Sequence, residues 1–372
     1  MRNLKKILAL ALALVMTLSL AACGGSKQEE TPADNAGNGE AAGDTQDFGG
    51  AELVVATWGW AEAGLKTLAA DFESQYNCTI VVDPTSGNGD RLNKLMAEQN
   101  DPTADVALLT KSFAQTGNEA GLFEKIDTNI VTSIGDLYDI AVNADGYGPC
   151  YSLCRYGIMY NADALEKAGL PAPTSYEGLF DDQYAHMVAL PDMTSTAGPY
   201  MLVAMVEAMG GSQEDVTPAM ELMQEKKDNI DLWYSTSSDV VNAFTTGEAN
   251  IAVFMDINMP SLTDSGLNMV WVDAAEGSFS APATANVVKN CKNPELAQLF
   301  VEYLISKDTQ DKIAEVMNEA PVNKNATMDD SLKTYLAFGD ESMNALKEFD
   351  EAYITANKEA WIDTFQRTVA VQ

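Results

Sequence analysis

The sequence predicts an α/β protein of two lobes, each a mostly parallel sheet flanked by helices. Strand and helix signals alternate from residue 51 onward, and 372 residues exceed what a single core usually organises. No fixed-period repeat is visible, which removes solenoid architectures.

Residues 52–58 (ELVVATW) are an apolar run of strand length. Residues 65–76 place Leu65, Leu68, Ala69, Phe72 and Tyr76 at the spacing of one helix face. A second strand is expected at 78–82, a helix at 90–99 ending before Asp101-Pro102, and a third strand at 105–109. Three strands separated by two helices imply parallel pairing, because a parallel neighbour is reached only through a crossover. Ligands of such sheets collect at the carboxyl ends of the strands, so the loops beginning at Trp58, Pro84 and Thr110 become the first candidates.

The second half repeats the style. A strand at 156–160 leads to a helix at 162–168, stopped by Gly169 and the Pro171/Pro173 pair. Further strands are expected at 187–190, 250–255, 270–273 and 285–288. Helices are expected at 200–209, ending at Gly210-Gly211, and at 294–305 and 309–317.

Fifty-five acidic residues face 22 basic ones, for a formal charge of −33. Nucleic acids are bound by Lys and Arg that displace counterions from phosphates, so this balance argues against such a partner. Forty-six per cent apolar residues exclude a disordered acidic chain. The single histidine, His186, removes HExxH metal sites and most general-base chemistry. No GxSxG, P-loop or CxxC occurs. A fragment of an EF-hand loop at 141–146 has Ala141 in the first ligand position and Ser152 in the twelfth, and is rejected. Neither cofactor nor metal is expected.

Arg2, Lys5 and Lys6 precede an apolar run at 7–20, too short to cross a bilayer comfortably. The following Leu20-Ala21-Ala22-Cys23 resembles the lipobox of bacterial lipoproteins, which implies a signal peptide at 1–22 and a lipidated Cys23. A plain secretory signal is the alternative. Residues 24–50 hold seven Gly and six acids, the composition of a flexible tether that spans roughly 30 Å as a coil. The expected location is the extracytoplasmic face of the cell membrane, with a lipid anchor.

Cys78, Cys150, Cys154 and Cys291 permit two disulfides in an exported protein. In an extended strand Cys150 and Cys154 would stand about 13 Å apart, beyond bridging distance. Four free buried thiols are the equal alternative.

In order along the chain stand ELVVATWGW, PTADVALL, GLFEKID, YGIMYNADALEKAGL, PTSYEGLFDDQY, VALPD, TTGEANIAVFMD, AEGSF, KNPELAQLFVEYLISKDTQDKIAE and APVNKNA. This series resembles that of extracellular solute-binding proteins of ABC importers, the group that includes polyamine, ferric-ion, thiamine and phosphonate binders. The resemblance implies a type II periplasmic-binding-protein-like clamp that closes on one small polar solute and delivers it to a membrane permease with its ATPase. It implies a monomer whose first lobe holds 51–150 plus 282–325. The second lobe would hold 151–281 plus 326–372, with hinges near 147–156 and 277–282. A surface adhesive lipoprotein and an exported hydrolase are the competing readings.

For the cleft, Trp58 and Trp60 offer ring faces and indole donors, with packed core as the alternative for either. Ser86 and Asn88 lie in a glycine-bearing loop before a helix, either contacting ligand or serving as a capped turn. Lys111 would pair with a ligand anion or be solvated at a rim. Thr194, Ser195 and Thr196 would cradle an oxyanion at a helix start or act only as a cap. Asp256 would point a carboxylate into the cleft or form an internal ion pair. Phe279 stands where the resemblance leads one to expect a polyamine binder's Trp and Asp, so the ligand stays open between an amine and a phosphonate or phosphate ester.

Overall fold

The computed structural model describes residues 46–84, 87–195 and 197–370. The leader, Cys23, most of the tether, Ser86 and Thr196 lie outside the described residues.

Among the described residues nine strands form one sheet. They are β1 (Ala51–Thr57), β2 (Cys78–Pro84), β3 (Val106–Thr110), β4 (Cys150–Asn161), β5 (Val188–Pro191), β6 (Ile230–Tyr234), β7 (Ile251–Met255), β8 (Met269–Val272) and β9 (Phe279–Val287). Their order is β2-β1-β3-β9-β4-β7-β5-β6, with β8 also pairing β4. β1 runs parallel to β2 and β3, and β5 runs parallel to β6 and β7. The central pairs β3·β9, β9·β4 and β4·β7 are antiparallel.

The local causes are those the pattern suggests. The first four residues of β3, VALL, are all buried, as a strand covered on both faces requires. The helix Glu62–Tyr76 buries Leu65, Leu68, Ala69 and Phe72, and ends at Asn77 in the left-handed region (φ 46°). The helix Ala162–Ala168 is stopped by Gly169 at φ 69°, as expected.

β4 and β9 tie the two halves together. β4 pairs with β9 from Cys150 to Tyr156, then with β7 from Tyr156 to Tyr160. The expected lobe boundaries at 151 and 282 therefore fall inside two mutually paired strands. Gly148 approaches this junction so closely that a Cβ there would lie 2.1 Å from the Ala285 carbonyl oxygen.

Elements the sequence reading did not place individually include β6 and the helices Lys111–Glu119, Thr217–Glu225, Ser237–Thr246, Met259–Thr263, Gly339–Asn344 and Glu351–Thr368. The last carries Ile354, Trp361 and Phe365 into the same core cluster as Met201, Leu202 and Val203 of the helix Ala197–Ala208. By contrast, Tyr335, Leu336 and Met343 join the core of Leu53 and Leu108. The carboxyl-terminal region thus spans both cores. Among the described residues no helix is long and apolar enough to cross a membrane.

Candidate functional site

A cavity of about 490 Å³ opens where β1 and β3 end beside the β4–β9 junction. Trp58 lines it directly after β1. Asn88 lines it from the first turn of the helix Asn88–Ala97, and Lys111, Ser112 and Phe113 from the first turn of the helix Lys111–Glu119. From the other half come Tyr156 at the junction in β4 and Tyr200 near the start of the helix Ala197–Ala208. Phe279 and Ser280 of β9 form the floor, and Ile354, Thr355 and Lys358 of the last helix close one side. A larger cavity of about 690 Å³ beside Arg155 and Asp273 holds none of the residues expected from sequence. The smaller one gathers the ends of parallel strands and residues of both halves, which is where a sheet of this kind presents ligands.

Trp58 is buried, its ring stacked on Trp60 at 5.7 Å and 25°. The Arg91 guanidinium lies 4.7 Å over the same ring, so an internal cation already makes the contact that an amine ligand would seek. Trp60 is exposed and does not line the cavity. Asn88 accepts the Thr110 N–H through Oδ1 at 3.1 Å, fixing the two loops together. Lys111 donates to Glu348 Oε1 at 2.5 Å. Phe279 is fully buried and nearly parallel to Tyr156 (5.0 Å, 15°) and to Tyr200 (5.9 Å, 17°).

Thr194 and Ser195 are placed elsewhere. Thr194 donates both its N–H and its hydroxyl to Asp192 Oδ1, while Ser195 Oγ donates to the Asp192 carbonyl and accepts the Gly198 N–H. Both side chains hold the turn into the next helix, the capping role left open above, and neither lines the cavity.

Asp256 does not face the cavity either, which corrects the expectation of a carboxylate in the cleft. It is fully buried at the start of the 3₁₀ turn Asp256–Asn258. Its Oδ1 accepts the backbone N–H groups of Arg155 and Ile257, and its Oδ2 lies 3.6 Å from Arg155 Nε. Arg155 also donates to Asp273 at 2.6 Å and to the Tyr335 carbonyl. Burial raises the Asp256 carboxyl to about 7 against the pull of Arg155, and burial likewise raises Glu319 to about 7. Cys154 donates to Glu319 Oε1 at 3.3 Å. These groups form an internal polar cluster under the β4 junction.

Cys78, Cys150, Cys154 and Cys291 are free and buried, so no disulfide forms among the described residues. No cluster of metal-ligating side chains is present among the described residues. Of the residues singled out from sequence, Trp58, Asn88, Lys111 and Phe279 line the cavity, and Tyr156, Tyr200, Ile354, Thr355 and Lys358 line it without having been singled out. An aromatic just after the proline of an apolar helix was a usable signal for Tyr200. For Lys358, some three hundred residues from Trp58, the chain offers none.

Comparison with known proteins identifies the family and the fold. Residues 67–339 match the family model described as bacterial extracellular solute-binding protein. The chain is 25% identical over 308 residues to the thiamine-binding periplasmic protein of Escherichia coli (strain K12), covering 80% of this chain and 86% of that protein. Among solved structures, an ABC transporter from Clostridium perfringens ATCC 13124 superposes with a TM-score of 0.74 at 30% identity, covering 85% of this chain and 99% of that one. The spermidine/putrescine substrate-binding protein PotD of Streptococcus pneumoniae shares the fold with a TM-score of 0.74 at 16% identity, covering 86% of this chain and 99% of that one.

Proposed function

The chain belongs to the bacterial extracellular solute-binding protein family, and on that premise we propose that it captures one small polar solute in the cavity bounded by Trp58, Lys111, Tyr156 and Phe279. It is a solute-binding protein of the ABC-transporter group, not an enzyme. In this reading two lobes, joined through β4 and β9, close over the solute and present it to a permease with its ATPase. Closure would bend the chain near 147–156 and 277–282. The protein acts as a monomer, held at the extracytoplasmic face of the membrane by a lipid on Cys23 and the acidic tether.

The observation that carries the reading is the make-up of the cavity wall. Residues from both halves of the sheet and from the last helix meet around 490 Å³, a size suited to a small organic solute. A solute touching all three walls is buried only when they approach one another, so binding energy and closure are coupled.

Thermal melts against a panel of amines, sugars, sugar phosphates, organic acids and vitamins test this. A true ligand at a hundredfold excess over its Kd stabilises the folded state by about 2.7 kcal/mol through mass action. A chain whose melting point no member of any class moves would defeat the proposal. Mass spectrometry of the mature amino terminus tests the anchor, and an unmodified terminus other than Cys23 would refute it.

A further inference from the structure

We propose that the cleft selects an organic anion carrying a flat ring, and that Glu348 occupies the anion position when no ligand is bound. The inference rests on the solute-capture reading above and names the ligand class of the same cavity.

Charge gives the first argument. Among the described residues, the lining of the 490 Å³ cavity includes Lys111 and Lys358 and no Asp or Glu. A cationic solute would meet Lys358 and Lys111 on the cavity wall, with no carboxylate on that wall and the nearest, Glu348, already paired to Lys111 from the adjoining recess; in a partly desolvated space that mismatch is costly. The Trp58 face that could otherwise offset it is covered by Arg91 at 4.7 Å. The whole chain carries −33, so the sign of this cleft opposes the sign of its surface and has a local cause.

Shape gives the second. Tyr156, Phe279 and Tyr200 form a nearly parallel aromatic series, and Phe113 and Pro199 complete an apolar wall. Flat rings pack offset against such a wall, whereas a small inorganic anion would leave it in contact with water. The favoured solute therefore has two parts: a ring on the aromatic side and an anionic group toward Lys111 and Lys358.

The Lys111–Glu348 pair gives the third. Glu348 precedes the last helix and lines a recess of about 270 Å³ that shares Lys111, Ser112, Ser280 and Pro282 with the main cavity. The other carboxylate of that recess, Asp350, already accepts the Tyr353 N–H as a helix cap. Glu348 thus supplies Lys111 with the carboxylate that the main cavity lacks. Both side chains are substantially exposed, 39% and 52%, and an exposed pair of this kind contributes little to stability. An incoming anion that is better buried displaces it at small cost.

The test is isothermal titration of the full mature chain with phenyl phosphate, benzoate, inorganic phosphate, benzylamine, thiamine and putrescine. Phenyl phosphate or benzoate is expected to bind, inorganic phosphate at least tenfold more weakly, and the three cations not at all. Glu348→Gln is expected to tighten the anions about threefold or more, and Lys111→Met to weaken them at least tenfold. Both sites are partly exposed, so the variants keep their wild-type melting points. Binding of a cation without any anion would overturn the ligand class while leaving solute capture standing. Anion affinities unchanged in both variants would overturn the role of the Lys111–Glu348 pair. Silence toward these six and toward the wider panel of the previous subsection would bring down the solute-capture reading itself.

Discussion

Arg155 and Asp256 face each other at 3.6 Å with almost no solvent exposure, on either side of the point where β4 changes partners. Asp256 holds the backbone there by accepting two N–H groups through one oxygen. Replacing it with Ala removes both acceptor bonds and leaves Arg155 with Asp273 and one carbonyl. Breaking a buried pair from one side costs about 3 kcal/mol. Asp256→Asn keeps an acceptor for both N–H groups and is expected to cost less. Urea melts that rank the two variants in the opposite order would contradict this account of the junction.

The same cluster sets a pH dependence. Asp256 and Glu319 are raised to about 7 by burial, so the folded state holds protons that the unfolded state has released above its ordinary carboxyl values of 3.8 and 4.5. Stability therefore falls as pH rises from about 4.5 to 7 and levels off above that. Glu319→Gln mimics the protonated form, so it flattens this fall and stabilises the protein at pH 8. Denaturant midpoints of wild type and variant at pH 5 and pH 8 measure it. A wild type more stable at pH 8 than at pH 5 would refute the assignment.

Gly148 tests the close packing of the two crossing strands. An added methyl meets the Ala285 carbonyl and the Asn286 side chain, at 2.1 and 2.7 Å, and backbone cannot move aside cheaply. Gly148→Ala is expected to lose about 1–3 kcal/mol of stability. Gly135→Ala meets no heavy atom within 4 Å and serves as the control. Equal melting points for the two variants would argue against the β4–β9 junction as described.

The thiols provide a fourth check. Burial raises Cys78 to about 11, and Cys150 and Cys291 to about 12, and raises Cys154 well above the ordinary range. With little thiolate and little access, all four resist a thiol reagent in the native state. Four react once the chain is unfolded without reductant. Fewer than four would mean a bridge in the mature protein.

Much of this molecule was legible in its pattern, and the losses have physical causes. VALL and AELVVAT announce strands because parallel strands bury both faces and read as continuous apolar runs. β6, with the sequence IDLWY, hides because Asp231 breaks the run and neither template fits cleanly. The last helix was visible in principle, since Ile354, Trp361 and Phe365 are seven and four residues apart. In the site, Trp58 and Lys111 follow from strand ends, a rule of topology. Asp256 also follows a strand end, yet its side chain turns inward because Arg155 waits there, and no local signal announces a partner 101 residues away. Lys358 reaches the cleft, and Glu348 its adjoining recess, through a return of the chain that periodicity does not encode.

The most direct test of a solute held between the two halves is a native mass spectrum of the protein purified without refolding from the cells that make it, beside that of Ser280→Trp. The indole of this variant fills the cavity floor. The account predicts a single small-molecule adduct on the wild-type chain at one-to-one stoichiometry, absent from the variant. Identical spectra from the two proteins would contradict it.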